Sequence, residues 1–262
     1  MKDSVSLFFR LVLVSIRSQM QHRTSFVLLM FSYFLATLFT IIGIGLLFDR
    51  FTLIQGWTFP QICVLYGIVQ MGFSLAECFA RGFDTFDEIL KQAEFDRILL
   101  RPLGTLFQIA CRNVQPMRLG RLLQAALVLA WGLKEQSLEL FSVCILIVAI
   151  LSTASVFYAL FILSATLAFW TTESLELINI TTYGGVEACQ YPLSLYPNMF
   201  RYIFTFVIPL GFAAYYPAAM LLGLEETTLW TALLLPLTGF AFLYLSCTVW
   251  SHGVRRYTST GN

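Results

Sequence analysis

The chain of 262 residues is 58% hydrophobic and only 12% charged, with a mean hydropathy of +0.77. Such a composition leaves too little polar surface for a soluble globular protein and indicates an integral membrane protein. The formal net charge of +1 gives no bulk attraction for nucleic acid, which is therefore not an expected partner.

The first 25 residues predict an interfacial helix that precedes the first membrane span. Their apolar residues fall near one helical face, whereas Arg10 and Arg17 lie elsewhere. Basic residues continue up to a full-length apolar segment. A cleaved secretory signal is therefore not expected.

Six apolar segments are candidates for helices that cross the roughly 30 Å hydrocarbon core. They are residues 26–48, 57–79, 119–133, 138–163, 202–216 and 229–250. The third is short, so we expect its helix to begin earlier, with Arg118 and Arg121 extending their side chains toward the headgroups. The predicted fold is an all-α integral membrane protein with six transmembrane helices in one domain, residues 1–262.

The distribution of Lys and Arg predicts the orientation of these spans. With the N-terminus in the cytosol, 14 of the 16 basic residues are cytosolic and only Arg50 and Lys134 lie outside. Both termini are therefore predicted to be cytosolic. We expect a multi-pass protein of a bacterial plasma membrane, with the lipid bilayer as its surroundings.

The loop of residues 81–118, between the second and third predicted spans, is the longest charged region of the chain. Seven of the 16 Lys and Arg residues lie between Arg81 and Arg121, interleaved with acidic and apolar residues. This pattern indicates a surface that contacts something in the cytosol. Just before the loop, Glu77 and Arg81 are spaced i,i+4 and predict an ion pair at the membrane interface.

Glu173 and Glu176 form a second acidic feature, because their i,i+3 spacing places both on one helical face. Such a pair could serve as the acid/base dyad of an intramembrane enzyme. No His, Ser or metal ligand stands at a matching spacing, which favours salt bridges to the basic loop. Farther on, Tyr183-Gly184-Gly185 and two Tyr-Pro pairs predict a tight cytosolic connector.

The sequence offers no means of hydrolysing nucleotide. It contains no Gly-Lys dipeptide and therefore no phosphate-binding loop of the G-x-x-x-x-G-K-[ST] type. The six cysteines are scattered singly and the two histidines are isolated, so neither a metal nor a cofactor is expected in this chain.

Three segments carry a resemblance to a known family. They are RGFDTFDEILKQAEFDRILLRPL (81–103), FWTTESLELINITTYGGVEACQYPLSLYP (169–197) and RRYTSTGN (255–262). Together they resemble a branch of the type-2 membrane permeases of ATP-binding-cassette (ABC) transporters, over nearly the whole chain. The resemblance implies a permease half that pairs with a second permease, identical or similar. It also implies separate cytosolic ATPase subunits that bind ATP and Mg²⁺ and drive transport, most often export.

In that family, the loop between the second and third spans carries a coupling helix that contacts the ATPase. A short helix along the membrane surface, with aromatic rings facing the partner, meets the mechanical need. Phe and Leu are expected to fill a groove on the ATPase, Asp to cap helix starts or pair with basic groups, and Arg-Pro to end the helix. A helix that merely lies on lipid headgroups is the alternative. The candidate contact residues are Phe83, Asp84, Phe86, Phe95, Asp96, Leu99, Arg101 and Pro102.

The segment before the last span mixes Pro, Gly and small residues with aromatic ones, which weakens a straight helix. In the family it resembles, this segment dips back into the membrane from outside and shapes an external gate. The residues assigned to it are Pro209, Gly211, Tyr215, Tyr216 and Pro217. A simple proline kink is the alternative.

The predicted function is thus a permease subunit of an exporter, without catalytic activity of its own. The 25 Phe residues suit a path for hydrophobic or amphipathic cargo, although lipid-facing Phe would give the same composition. An intramembrane enzyme that uses Glu173 and Glu176, or a membrane scaffold that transports nothing, are the alternatives.

Overall fold

The protein is described here by a computed structural model. The described residues are 13–134 except 15, residue 136, and residues 139–171, 175–224 and 229–258. Side chains are described in these ranges except at 175–179, 229, 230 and 232. Apart from one isolated bridge between Ile54 and Trp57, every regular element in these ranges is helical. The predicted all-α class is confirmed.

The helices follow one another with short connections. In chain order they are α1 (Arg23–Arg50), α2 (Phe59–Asp84), α3 (Phe86–Lys91), α4 (Glu94–Leu99), α5 (Thr105–Arg112), α6 (Leu119–Gly132), α7 (Leu140–Leu167), α8 (Leu175–Cys189), α9 (Asn198–Tyr202), α10 (Tyr216–Leu221) and α11 (Leu229–Arg256). Single 3₁₀ turns lie at Met20–His22, Pro116–Arg118 and Leu193–Leu195, and π-helical turns at Ile203–Val207 and Gly211–Tyr215.

Local sequence explains where the second helix starts and how the short helices after it are joined. Thr58 is the N-cap of α2, its backbone N–H donates to the Gln61 side chain at 2.8 Å, and a proline occupies the first turn. This capping box satisfies backbone groups that would otherwise lack partners. Between α3 and α4, Ala93 adopts a left-handed φ of 54°, and Phe86 of the first short helix contacts Phe95 of the second.

By length and composition, four helices could cross a membrane: 16–50, which includes α1, then 59–91, which includes α2, then α7, and 233–256 within α11. The segments Asn198–Val207 and Gly211–Leu221 meet at 81° and would add a fifth if counted as one span. The third predicted span forms α6, which has only 14 residues. Helical backbone begins before Leu119, as predicted, because the 3₁₀ turn Pro116–Arg118 runs directly into α6.

The core of the protein is built around α2. In its most apolar window, 83% of the residues are buried, against 17% for the helix that contains α1. Two glycines of α2 lie against neighbouring helices, Gly67 at Leu129 of α6 and Gly72 at Thr153 of α7. Such small residues let helix backbones approach closely, which matters in a membrane because packing, rather than the hydrophobic effect, holds helices together there.

Helix α8 corrects the predicted cytosolic connector. Tyr183, Gly184 and Gly185 lie inside α8, which packs on α2 and α7. Gly185 faces the rings of Phe157 and Phe204. The glycine pair therefore lies in a helix rather than a turn. The chain leaves the helix only after Cys189, and Tyr191-Pro192 and Tyr196-Pro197 lie in the connection that follows.

Candidate functional site

A buried cluster of charges joins four parts of the chain. Glu77 of α2 is 2% exposed, and its Oε1 accepts a hydrogen bond from Arg118 Nη1 at 2.5 Å. Its Oε2 accepts from Arg121 Nη1 at 3.2 Å, and the Tyr183 hydroxyl donates to Oε1 at 3.2 Å. One carboxylate thus receives three hydrogen bonds, two of them from cations.

Aromatic rings complete the surroundings of the two arginines. The guanidinium of Arg118 lies 4.4 Å from the ring centre of Tyr33 in α1, and that of Arg121 lies 5.1 Å from the ring of Phe73 in α2. Cation–π contacts of this kind stabilise guanidinium groups away from water. The cluster therefore fixes α1, α2, the start of α6 and α8 relative to one another.

The sequence interpretation of this region is corrected in two respects. The predicted pair of Glu77 with Arg81 does not form, because Glu77 points to α6 and Arg81 pairs with Asp84 on the next turn. Arg118 and Arg121 do not extend toward headgroups, since their side chains are only 10% and 15% exposed. The sequence did carry a signal for this contact: Glu77 is a lone acidic residue in an apolar span, and Arg118 and Arg121 lie at the start of the next one.

A cavity of about 320 Å³ opens beside the cluster, between α1, α2 and α8. Its polar and aromatic lining residues are Thr37, Thr40, Gln70, Phe73, Arg121, Tyr183 and Glu187. Gln70 donates to Gln190 Oε1 at 3.3 Å, whereas its own Oε1 has no partner. Sequence reasoning missed this cavity, because its lining comes from distant segments.

At the end of the bundle that carries α3–α5, a cluster of aromatic rings joins the loop to two long helices. Phe86 packs on Phe95 and Trp250 with ring centres 5.2 and 4.9 Å apart, and Phe169 lies 5.2 Å from Phe86. Trp250 belongs to α11, and its Nε1 donates to Thr105 Oγ1 of α5 at 3.0 Å. We call Phe83, Phe86, Phe95, Phe169, Trp250 and Tyr257 the aromatic cluster.

The aromatic cluster corrects the predicted orientation of three loop residues. Phe83, Phe86 and Phe95 are at most 1% exposed and face the protein, not a partner. Their burial follows from the apolar area that each ring removes from water. The exposed large apolar residues of the loop lie instead at the end of α4 and in the turn after it, where Leu99 is exposed and Leu100 is 87% exposed.

Charged residues surround this exposed end. Asp84 pairs with Arg81, as one of the predicted alternatives had it, and Thr85 rather than Asp84 is the N-cap of α3. Asp96 lies in the first turn of α4, where its negative charge interacts favourably with the helix dipole. Helix α4 ends at Leu99, and Arg101 and Pro102 follow it in an exposed turn.

A groove of about 400 Å³ runs between α4 and α5 beside this turn. Arg97, Arg101 and Arg112 supply basic groups to it, and Ile98 and Phe107 supply apolar ones. Glu94 pairs with Arg112 across the groove. The groove thus combines apolar area with an excess of positive charge.

The segment before α11 is broken, as its composition predicts. Pro209 lies in the break between the two segments that meet at 81°. Gly211 sits against Thr205 and Leu193, where a Cβ would not fit, and Pro217 occupies the first turn of α10. Tyr215 packs on Trp57, which precedes α2, with ring centres 5.7 Å apart, and on Tyr216 at 5.3 Å.

Two remaining predictions concern acids and metals. Glu173 and the side chain of Glu176 lie outside the described residues, so the structure does not place the predicted dyad or its salt bridges. In the described part of the chain, no group of three or more His, Cys, Asp or Glu residues is arranged to hold a metal ion.

Comparison with known families gives one match. The sequence model of the family described as "ABC-2 family transporter protein" matches residues 34–261. Neither the curated proteins nor the solved structures contain a significant match.

Proposed function

Because the chain belongs to the ABC-2 family of transporter proteins, we propose that it is the permease subunit of an ABC exporter, driven by ATP that a separate subunit hydrolyses. The family match over residues 34–261 is the observation that carries this proposal. Several long apolar helices agree with a membrane component of transport. ATP and Mg²⁺ are assigned to the partner ATPase, and this chain is proposed to be a single permease domain with no cofactor.

The exposed end of α4 is the proposed contact with the ATPase. We call Arg97, Leu99, Leu100, Arg101 and Pro102 the docking face. An exposed pair of leucines beside arginines has the composition of an interface, in which an apolar centre supplies affinity and charges at the rim supply steering. The adjacent groove would accept an apolar side chain of the partner together with an acidic one.

The aromatic cluster gives the docking face a rigid connection to the membrane helices. Phe86 and Phe95 of the loop are packed on Trp250 of α11 and Phe169 after α7. Since packed cores transmit displacement rather than absorb it, a push on α4 would move α11 and the end of α7 together. In this proposal, the exposed leucines bind the ATPase and the buried rings transmit its movement to the membrane helices.

The α3–α5 end and both chain termini are proposed to lie in the cytosol of a bacterial cell, in accord with the distribution of Lys and Arg. A second permease, identical or similar, would complete the path across the bilayer. The broken segment with Pro209, Gly211, Tyr215, Tyr216 and Pro217 would then be the re-entrant external gate.

Replacement of Leu100 by Asp tests the docking face. We expect the affinity for the ATPase subunit to fall about thirtyfold, because loss of an apolar side chain that dominates the centre of an interface costs about 2 kcal/mol or more of binding free energy. Leu140→Asp is the matched control, since Leu140 is 83% exposed at the start of α7, at the opposite end of that helix from Phe169.

The measurement is the amount of ATPase retained on the tagged permease in detergent, with membrane insertion checked by fractionation. Equal retention by Leu100→Asp and Leu140→Asp would remove the docking face from the proposal. Phe86→Asp is not a suitable test, because it places a charge in the buried aromatic cluster and would unfold this end of the protein.

A further inference from the structure

The groove between α4 and α5 carries more positive charge than its acidic lining can neutralise. Arg97, Arg101 and Arg112 line it, and Glu94 is the single acidic residue among its described lining residues. Glu94 pairs with Arg112. The ion pairs among the described residues do not include Arg97 or Arg101, and both side chains are exposed. The groove therefore offers two arginines that an anion can reach from solvent.

Hydrogen bonds hold the walls of the groove in place. Gln108 of α5 donates from Nε2 to the carbonyl of Ile98 at 3.0 Å and to that of Leu103 at 2.8 Å. One side chain thus ties both the end of α4 and the turn after it to α5. Thr105, at the start of α5, accepts from Trp250 Nε1 of α11 at 3.0 Å. Because these contacts fix α4 and α5 relative to each other, a ligand would meet a preformed groove.

The groove lies at the end of α2, at the level expected for lipid headgroups. The 26 residues of α2 extend about 39 Å at about 1.5 Å per residue, more than the roughly 30 Å depth of hydrocarbon. Its last turn carries the ion pair of Arg81 and Asp84, and charged groups favour headgroups over hydrocarbon. Gly82 in the same turn packs against the carbonyl of Ile109 in α5. Helix α5, and with it the groove, therefore lies beside the membrane surface.

The apolar part of the lining favours a phosphate that belongs to a lipid. Ile98, Leu103 and Phe107 form apolar walls, and the volume of about 400 Å³ is in the usual range for small-ligand sites. Guanidinium groups bind phosphate oxygens through charge-assisted hydrogen bonds. A phospholipid can place its phosphate on the arginines and its carbon atoms on these walls, whereas inorganic phosphate has no carbon atoms to place there.

We propose that this groove binds the headgroup of an anionic phospholipid. Arg97 and Arg101 donate to its phosphate oxygens, and Ile98, Leu103 and Phe107 contact its glycerol and first methylene groups. Binding requires neither the ATPase nor a second permease. Because both arginines also belong to the docking face, the ATPase would have to displace the lipid, and this consequence alone rests on the proposed function.

The test uses the tagged full chain in maltoside detergent, without the ATPase. Radiolabelled phosphatidylglycerol is the probe, and the amount retained on the chain is measured as its concentration rises. We expect saturable binding. Unlabelled phosphatidylcholine, whose headgroup has no net charge, should displace the probe poorly, and diacylglycerol and inorganic phosphate should not displace it.

Two pairs of variants separate the groove from general surface charge. Arg101→Gln should weaken binding about tenfold, the usual scale of a charge-assisted hydrogen bond. Arg256→Gln makes the same change of charge at an exposed position at the end of α11 and should bind as wild type does. Glu94→Gln removes the acidic lining residue, releases Arg112 and should tighten binding severalfold. Glu88→Gln, at an exposed position of α3 outside the groove, should leave binding unchanged.

Three results would overturn the proposal. They are equal binding by Arg101→Gln and Arg256→Gln, unchanged binding by Glu94→Gln, and equal retention of phosphatidylcholine and phosphatidylglycerol. Displacement by inorganic phosphate as effective as that by unlabelled phosphatidylglycerol would assign the groove to free phosphate and would also overturn it.

This proposal and the proposed function fail in different ways. Lipid binding is measured on the chain alone, so the absence of any ATPase partner would refute the exporter and leave the lipid result intact. Loss of saturable lipid binding would refute the groove alone, because the comparison of Leu100→Asp with Leu140→Asp needs no added lipid.

Discussion

Replacement of Glu77 by Gln is the most direct perturbation of the buried charge cluster. It keeps the size of the side chain and removes the single charge that two arginines share. At a charge separation of about 4 Å and an effective dielectric constant of about 20, each attraction is worth about 4 kcal/mol before desolvation. Part of this is recovered when Gln keeps a hydrogen bond and an arginine turns toward water.

The expected net loss is about 3–5 kcal/mol, as for other buried pairs in which one partner is removed and the other charge stays. At about 2–4 °C per kcal/mol for chains of about this size, the melting temperature should fall by about 10 °C. Thermal unfolding of the purified chain in detergent, followed by tryptophan fluorescence, measures the shift. Glu88→Gln, at an exposed position of α3, should change stability by less than about 0.5 kcal/mol.

A second variant checks the cause of the loss. If unneutralised arginine is responsible, Glu77→Gln combined with Arg118→Met should be more stable than Glu77→Gln alone, because the buried positive charge is reduced. A double variant that is less stable by the sum of the two single effects would refute this reasoning. So would a melting temperature of Glu77→Gln equal to that of Glu88→Gln.

Two further substitutions test the packing that surrounds the docking face. Trp250→Ala should destabilise the protein by about 3–5 kcal/mol through the cavity it leaves. Trp170→Ala, at a half-exposed ring, should cost under about 1 kcal/mol. Similar melting temperatures for the two variants would contradict the role of the aromatic cluster. Gly82→Ala should separate α2 from α5, because the new Cβ would fall on the carbonyl of Ile109. Gly43→Ala, with open space around it, should be tolerated. Limited proteolysis of the loop measures the difference, and equal cleavage rates for the two variants would argue against the contact between α2 and α5.

The helices of this fold could be predicted from composition to the extent that each is long and apolar. The segments of α1, α2, α7 and α11 are continuous apolar runs, and their assignment needs only the thickness of a bilayer. The bend near Pro209 was also visible, because proline removes a backbone donor. The change from a 3₁₀ turn to an α-helix at Leu119 was not, because the neighbouring arginines fit both kinds of helix.

The sites depended on contacts between distant segments and were harder to predict. Glu77 was assigned its nearest basic neighbour along the helix, although its partners lie 41 and 44 residues later. Phe86 and Phe95 were assigned to a partner surface because a single segment cannot show that Trp250 is packed against them. Tyr183 to Gly185 were predicted to form a turn because glycine is common in turns, and a single segment cannot show that α8 packs on α2 and α7.

The short length of α6 has a consequence for the surrounding lipid. Fourteen residues at about 1.5 Å each extend about 21 Å, less than the roughly 30 Å depth of hydrocarbon that α2 beside it can match. If α6 is the third membrane span, as the sequence predicts, acyl chains next to it must therefore shorten, or headgroups and water must descend along it. The bilayer around this protein would then be thinner beside α6 than beside α2, and the chain would prefer thin membranes to thick ones.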